Sequence, residues 1–239
     1  MSRPSENTTP MPVSEYPSCR ALSIHERLIS EYGPRLSRGR ILDPLSELIF
    51  TILSQNTSDV NRDRACESLR SRFPTWEDVL QADVTDIEDA IRIGGLAAIK
   101  APRIKSILEH IHREQGTLSL DFLREMPVPE ARKWLVSLKG VGHKTASCVL
   151  LFSLGKPALP VDTHVHRVTR RLGLVPTKSS AERTNILLEA MMPPELYYPF
   201  HVNIIAHGRQ VCHAQRPKCY ACALADLCDF VPKNLGPPE

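Results

Sequence analysis

The sequence predicts an all-α fold in two helical lobes, and three observations carry that expectation. Apolar residues recur at spacings of three and four through most of the chain, each run opened by a capping residue and closed by Gly or Pro. No run alternates apolar and polar residues as a half-buried strand would, and no Asn-Gly hairpin occurs. Aromatics make up only 5% of the 239 residues, so the core must be built from aliphatic side chains, which helices supply readily. Hydrophobic content of 42% and charged content of 24% are those of a globular chain with a sizeable core. A net charge of +3 does not by itself demand nucleic acid; local concentrations of cation matter more. No apolar run is long enough to span a bilayer, and the N-terminus lacks the order of a signal peptide. Seven cysteines without a secretion signal point to a reducing compartment, so a cytoplasmic monomer without membrane attachment is expected.

Taken in order, residues 1–20 are rich in Ser, Pro, Glu and Thr and read as a flexible tail. Ser23-Ile-His-Glu26 reads as a capping box that opens a helix ending at Gly33-Pro34. Ser37–Arg40 is a basic loop. Asp43-Pro44 is a strong helix start, and Leu45, Leu48, Ile49, Ile52 and Leu53 then share one face. The polar segment Ser54–Asp59 follows, with Gln55 and Asn56 at its centre. Short capped helices are expected over 59–72, 76–81 and 85–92. A turn, Gly94-Gly95-Leu96, carries an exposed leucine. A long helix through Ile104, Ile107, Leu108 and Ile111 ends at Gly116, and 120–125 and 129–138 complete the run. Two lobes are expected: a six-helix barrel over 37–156, and a second formed by 21–36 with 157–239, with a binding cleft between them. Cys66 and Cys148 fall on apolar helix faces and read as core residues.

The stretch Leu138–Asp162 organises the chain. Gly140-Val141-Gly142 makes a tight turn in which both glycines are expected to supply φ > 0 and close approach to a ligand. A helix follows, with Ala146, Val149, Leu150 and Leu154 on one face, and its free N–H groups suit a phosphate. Lys133, Lys139, His143 and Lys144 surround the turn, as a phosphodiester backbone would require. Lys144 lies in the first helical turn, where the helix dipole and desolvation disfavour an ammonium. An amine there can lose its proton and form a Schiff base with an electrophilic carbon. Asp162 stands at the N-cap of a further helix, 163–172; it is either a plain cap or a catalytic carboxylate. Arg167, Arg170 and Arg171 share that helix.

Cys212, Cys219, Cys222 and Cys228 lie within 17 residues and imply a metal. Structural zinc usually takes two close pairs with a longer spacer; a single close pair flanked by wider gaps fits that poorly. Four closely strung thiolates suit a [4Fe–4S] cluster.

Leu138-Lys-Gly-Val-Gly-His-Lys144-Thr-Ala, Val161-Asp162-Thr-His-Val-His-Arg167-Val and the cysteine spacing together resemble the helix-hairpin-helix DNA glycosylases, most of all the endonuclease III branch. The resemblance runs from about Leu42 to Phe230. It implies a bifunctional DNA glycosylase and abasic-site lyase of base excision repair, acting on double-stranded DNA with oxidised pyrimidines. Lys144 would attack the sugar C1′, Asp162 would assist, and a [4Fe–4S] cluster would sit on the four cysteines. DNA contacts would come from Lys139, Gly140, Gly142, His143 and His164, and from Arg216 and Lys218 in the cysteine loop. Leu96 would be a wedge in the duplex. The sequence departs from the commoner pattern at Asn56, where the family often has glutamine, with Gln55 as the substitute, and at Ala97 and Ala98 after the wedge. A mismatch- or alkylation-specific glycosylase, a non-catalytic DNA-binding module and an electron-transfer protein remain as rival readings.

Overall fold

The computed structural model describes residues 15–35, 41–233 and 235–236. Among them it contains eleven α-helices and no strand. In chain order these are α1 (Glu15–Tyr32), α2 (Pro44–Leu53), α3 (Asp59–Arg72), α4 (Trp76–Gln81), α5 (Val84–Ile91) and α6 (Ala97–Gln115). Then come α7 (Val128–Ser137), α8 (His143–Cys148), α9 (Thr163–Arg171), α10 (Ala181–Met191) and α11 (Tyr197–Gln210). Two compact units result, Ser37–Pro160 and the joined segments Met1–Leu36 and Val161–Glu239.

The Ser37–Pro160 unit is built around α2. Asp43 caps it, its carboxylate accepting from the Ser46 N–H at 2.9 Å, and Pro44 occupies the first helical position. Leu45, Leu48, Ile49, Ile52 and Leu53 are each at most 1% exposed. Burying each such side chain contributes roughly 2 kcal/mol. α3, α6, α8 and the segment after α8 all pack on α2, which is why this helix is apolar on nearly every side. α3 can approach the turn after α5 closely because residue 94 is glycine: a Cβ there would come within 2.9 Å of the Ala65 Cβ. Cys66 and Cys148 belong to the packed interior, as their apolar faces imply.

In the other unit, α1 packs on α10 and α11, and α9 packs on α11. Ala21, Ile24 and Leu28 of α1 are buried, as are Phe200 and Ile204 of α11. Gly208 admits the His164 side chain, whose Nδ1 would sit 3.0 Å from a Cβ at that position.

Two expectations fail at the N-terminus. α1 begins at Glu15, so the flexible tail does not extend to residue 20, and residues 1–14 lie outside the described part. Ser23 and Glu26 are therefore exposed positions within a helix and not its start. The reason is tertiary. Arg20 donates to the Asp229 carboxylate at 2.6 Å and to the Leu227 carbonyl at 2.8 Å, and Arg27 pairs with Asp226 at 2.9 Å. Contacts with residues some two hundred positions away support a helix that its own sequence does not announce. The basic loop over 37–40 also lies outside the described residues.

Candidate active site

The hairpin is formed by α7, the turn 138–142 and α8. Leu138 and Val141 are buried and anchor the turn, while Lys139, Gly140, Gly142 and His143 are exposed. Only one of the two glycines has the expected conformation. Gly140 has φ +83, whereas Gly142 is extended at φ −97 and ψ 176, a conformation open to any residue. Gly142 instead leaves open space where a Cβ would stand. The helix after the turn is also not uniform: α8 passes at Val149 into a wider π-type segment, in which Leu154 N–H donates to Val149 O at 3.2 Å. Such segments recur at functional sites because they reposition one side chain.

Lys144 is the second residue of α8 and is half-buried. A residue that sequence reasoning missed lies in its field. Glu47 of α2 is only 8% exposed, and its carboxylate accepts from the Thr51 hydroxyl at 3.2 Å. Burial pushes the Glu47 carboxyl up to about 7, the Thr51 hydrogen bond and the nearby charges of Lys144 and Arg62 pulling it part of the way back. A glutamate within an otherwise apolar helix, one residue before Leu48, was the available signal.

The two loops expected to enter a duplex share a feature. Asn56 and Leu96 both have left-handed backbone, φ 51 and 53, which is uncommon outside glycine. Both are exposed, Leu96 by 47%. Ile93 and Ile99, three residues to either side of Leu96 in sequence, are also exposed. Gln55 is half-buried, and its side-chain oxygen accepts from the Arg103 guanidinium at 2.9 Å.

In the other unit, Asp162 caps α9, its Oδ1 accepting from Val165 N–H at 2.7 Å. His164 turns inward, with Nδ1 3.1 Å from Arg167, and burial pushes its pKa below the usual histidine value. Arg167 and Arg171 are used to hold the cysteine segment: Arg167 donates to Cys212 O at 2.9 Å, and Arg171 to His213 O at 2.6 Å and Cys212 Sγ at 3.3 Å. Cys212, Cys219, Cys222 and Cys228 line one pocket with Val168, Leu172 and Phe230. Burial pushes the Cys222 thiol up to about 11, and the other three cysteines add to the shift. Among the described residues no three Cys, His, Asp or Glu are grouped as one metal ion would require. Arg216 and Lys218 are exposed on the loop between the first two cysteines.

Residues 49–194 match the model of the HhH-GPD superfamily of base excision DNA repair proteins. The chain belongs to that superfamily. This HhH-GPD protein is 36% identical to endonuclease III of Thermotoga maritima over 206 residues, 86% of this chain and 92% of that one. It is 44% identical over 165 residues to an Arabidopsis thaliana protein provisionally named a DNA glycosylase; the match covers 69% of this chain and 56% of that one. The chain thus spans about half the length of that plant relative. Among solved structures, a trapped endonuclease III–DNA covalent intermediate superposes with a TM-score of 0.76 at 28% identity, covering 89% of this chain and 95% of that one.

Within this HhH-GPD fold, the structure brings Lys144, the hairpin turn, Gln55, Asn56 and Leu96 into one unit, and Asp162, His164 and the four cysteines into the other. Besides Glu47, sequence reasoning missed Lys100 and Arg103 of α6. A lysine and an arginine on a long helix read as solvated, and only the tertiary structure shows Lys100 to be 1% exposed.

Proposed function

We propose that this protein is a bifunctional DNA glycosylase and abasic-site lyase that removes oxidised pyrimidines from double-stranded DNA. Lys144 carries the reading: a half-buried amine in the first turn of α8, immediately after the hairpin turn. The likeness to an endonuclease III held in a covalent intermediate with DNA supports the same chemistry.

In this mechanism the exposed turn around Gly140 and Gly142 grips a backbone phosphate through main-chain N–H groups, with Lys139 and His143 beside it. Leu96 fills the gap left when the damaged nucleotide turns out, offsetting part of the unstacking cost. Once deprotonated, the Lys144 amine attacks C1′ while the bond from C1′ to the base breaks, and the base leaves with the proton given up by the attacking nitrogen. Asp162 stabilises the positive charge that develops on the sugar; its cap bond occupies Oδ1, leaving Oδ2 for that task. The C1′ amine opens the ring to a Schiff base. Loss of a C2′ proton then expels the 3′ phosphate by β-elimination, and the strand is nicked.

The four cysteines would hold a [4Fe–4S] cluster. The donor set suits it: the four thiols line one pocket with Val168, Leu172 and Phe230, and four thiolates closely strung in sequence suit such a cluster. Burial, with the neighbouring thiols adding to it, pushes the Cys222 and Cys228 thiols up, and a cationic core would draw them into the thiolate form. The cluster would fix the loop that presents Arg216 and Lys218 to phosphate. Cys222→Ser should remove iron and the visible absorbance of the purified protein; a variant that keeps both overturns the assignment.

Borohydride trapping on a duplex with a single abasic site tests the main reading. Wild-type protein should form a covalent adduct, and Lys144→Ala none, with duplex affinity changed less than about threefold because phosphate contacts dominate binding. An adduct with Lys144→Ala would refute the nucleophile.

A further inference from the structure

The segments of the Ser37–Pro160 unit assigned to DNA are three short stretches far apart in sequence: Gln55–Asn56, Leu96 and Gly140–Gly142. One helix, α6, touches all three. Lys100, 1% exposed, donates its Nζ to Leu53 O at 2.8 Å and to Gly94 O at 3.1 Å. Leu53 ends the helix that leads into the polar loop, and Gly94 precedes the leucine turn. A buried ammonium is costly unless its hydrogens are used, so these two carbonyls are tied together firmly. One helical turn later, Arg103 donates to Gln55 Oε1 at 2.9 Å. The same side chain lies across Gly140: a Cβ there would land on the Arg103 Nε, Cδ and Cζ atoms.

The contact between Arg103 and Gln55 also has a polarity. A guanidinium carries only donors, so the Gln55 atom it meets must be the carbonyl oxygen. The Gln55 amide is then fixed with its NH2 group directed away from Arg103, and this loop offers a donor to whatever faces it. We propose that Arg103 is the positioning residue that sets opposite-base preference, by holding Gln55 as a hydrogen-bond donor to the base left behind when its partner is flipped. The base preferred is one that presents an acceptor there. Lys100 keeps the polar loop and the leucine turn in register while this happens. The inference rests on the reading that these segments meet DNA.

The test is a set of abasic duplexes carrying each of the four bases opposite the lesion, with kcat/KM for strand nicking on each divided by that on single-stranded abasic DNA. The division removes general damage to the site, since a single strand has no facing base. Wild-type protein should discriminate among the four. Arg103→Met should flatten that spread to within about twofold, because a freely rotating amide offers donor and acceptor alike. Gln55→Ala should flatten it equally, and the double variant should add nothing further, as expected of residues acting as one unit. Wild-type order and spread retained by Arg103→Met, or effects of the two variants that simply multiply, would overturn the proposal, as would a wild-type protein indifferent to the facing base. A wild-type protein that nicks neither duplex nor single strand sinks the lyase reading beneath it, and this inference with it.

Discussion

Glu47 shows how much a single side chain can say about a site. Its carboxyl is buried beside Lys144 and Arg62 and titrates near 7 against 4.5 for an ordinary glutamate. A carboxyl whose folded pKa is raised takes up its proton more readily in the folded state. The folded state is therefore favoured fully below about pH 4.5, and that advantage is lost as pH rises through about 7. A shift of this size corresponds to about 3 kcal/mol. Glu47→Gln should accordingly unfold at higher urea than wild type at pH 8 and at nearly the same urea at pH 4.5. Equal gains at both values would show that charge at Glu47 is not the cause. A protein that carries such a cost next to a candidate nucleophile has a perturbed group where function would need one.

At the scale of elements, local sequence pattern fixes some helix boundaries and misses others. α3 and α4 start and end where their caps and apolar spacing place them, because Ser58 and Thr75 each satisfy a free N–H of the first turn. Local pattern places the start of α1 too late, because Arg20 in its early turns is held by Asp229 and Leu227, which no local pattern can report. The Gly-x-Gly pattern presents two equivalent glycines, yet only Gly140 is left-handed and only Gly140 faces a neighbouring side chain. The two should separate in a simple pair of variants. Gly140→Ala meets both an unfavourable φ and Arg103, and should lower stability by about 1–2 kcal/mol as well as DNA affinity. Gly142→Ala should leave thermal stability within about 0.5 kcal/mol of wild type, yet weaken duplex binding, since its Cβ stands where a phosphate would approach. A Gly142→Ala protein with wild-type affinity would place the phosphate elsewhere.

The whole molecule divides into a continuous unit and one assembled from both ends of the chain. Ser37–Pro160 holds its own aliphatic core, from Leu45 to Ala158. Expressed alone, residues 37–160 should fold as a helical, cooperatively melting, colourless protein that retains the hairpin and Lys144 but no thiol pocket. A fragment with no cooperative transition would show that the core is not self-sufficient. By itself the sequence determined the all-α class, the hairpin with Lys144, the cap at Asp162 and the four-cysteine segment. Each of these is written in residues close together in the chain, where caps, glycines and thiol spacing act locally. The tertiary structure alone decided that α1 starts at Glu15, that Glu47 is buried within the field of Lys144, and that Lys100 and Arg103 tie three distant segments to α6. Those outcomes depend on burial and on partners supplied by other helices, and the desolvation that shifts a pKa or buries an ammonium exists only once the helices have packed.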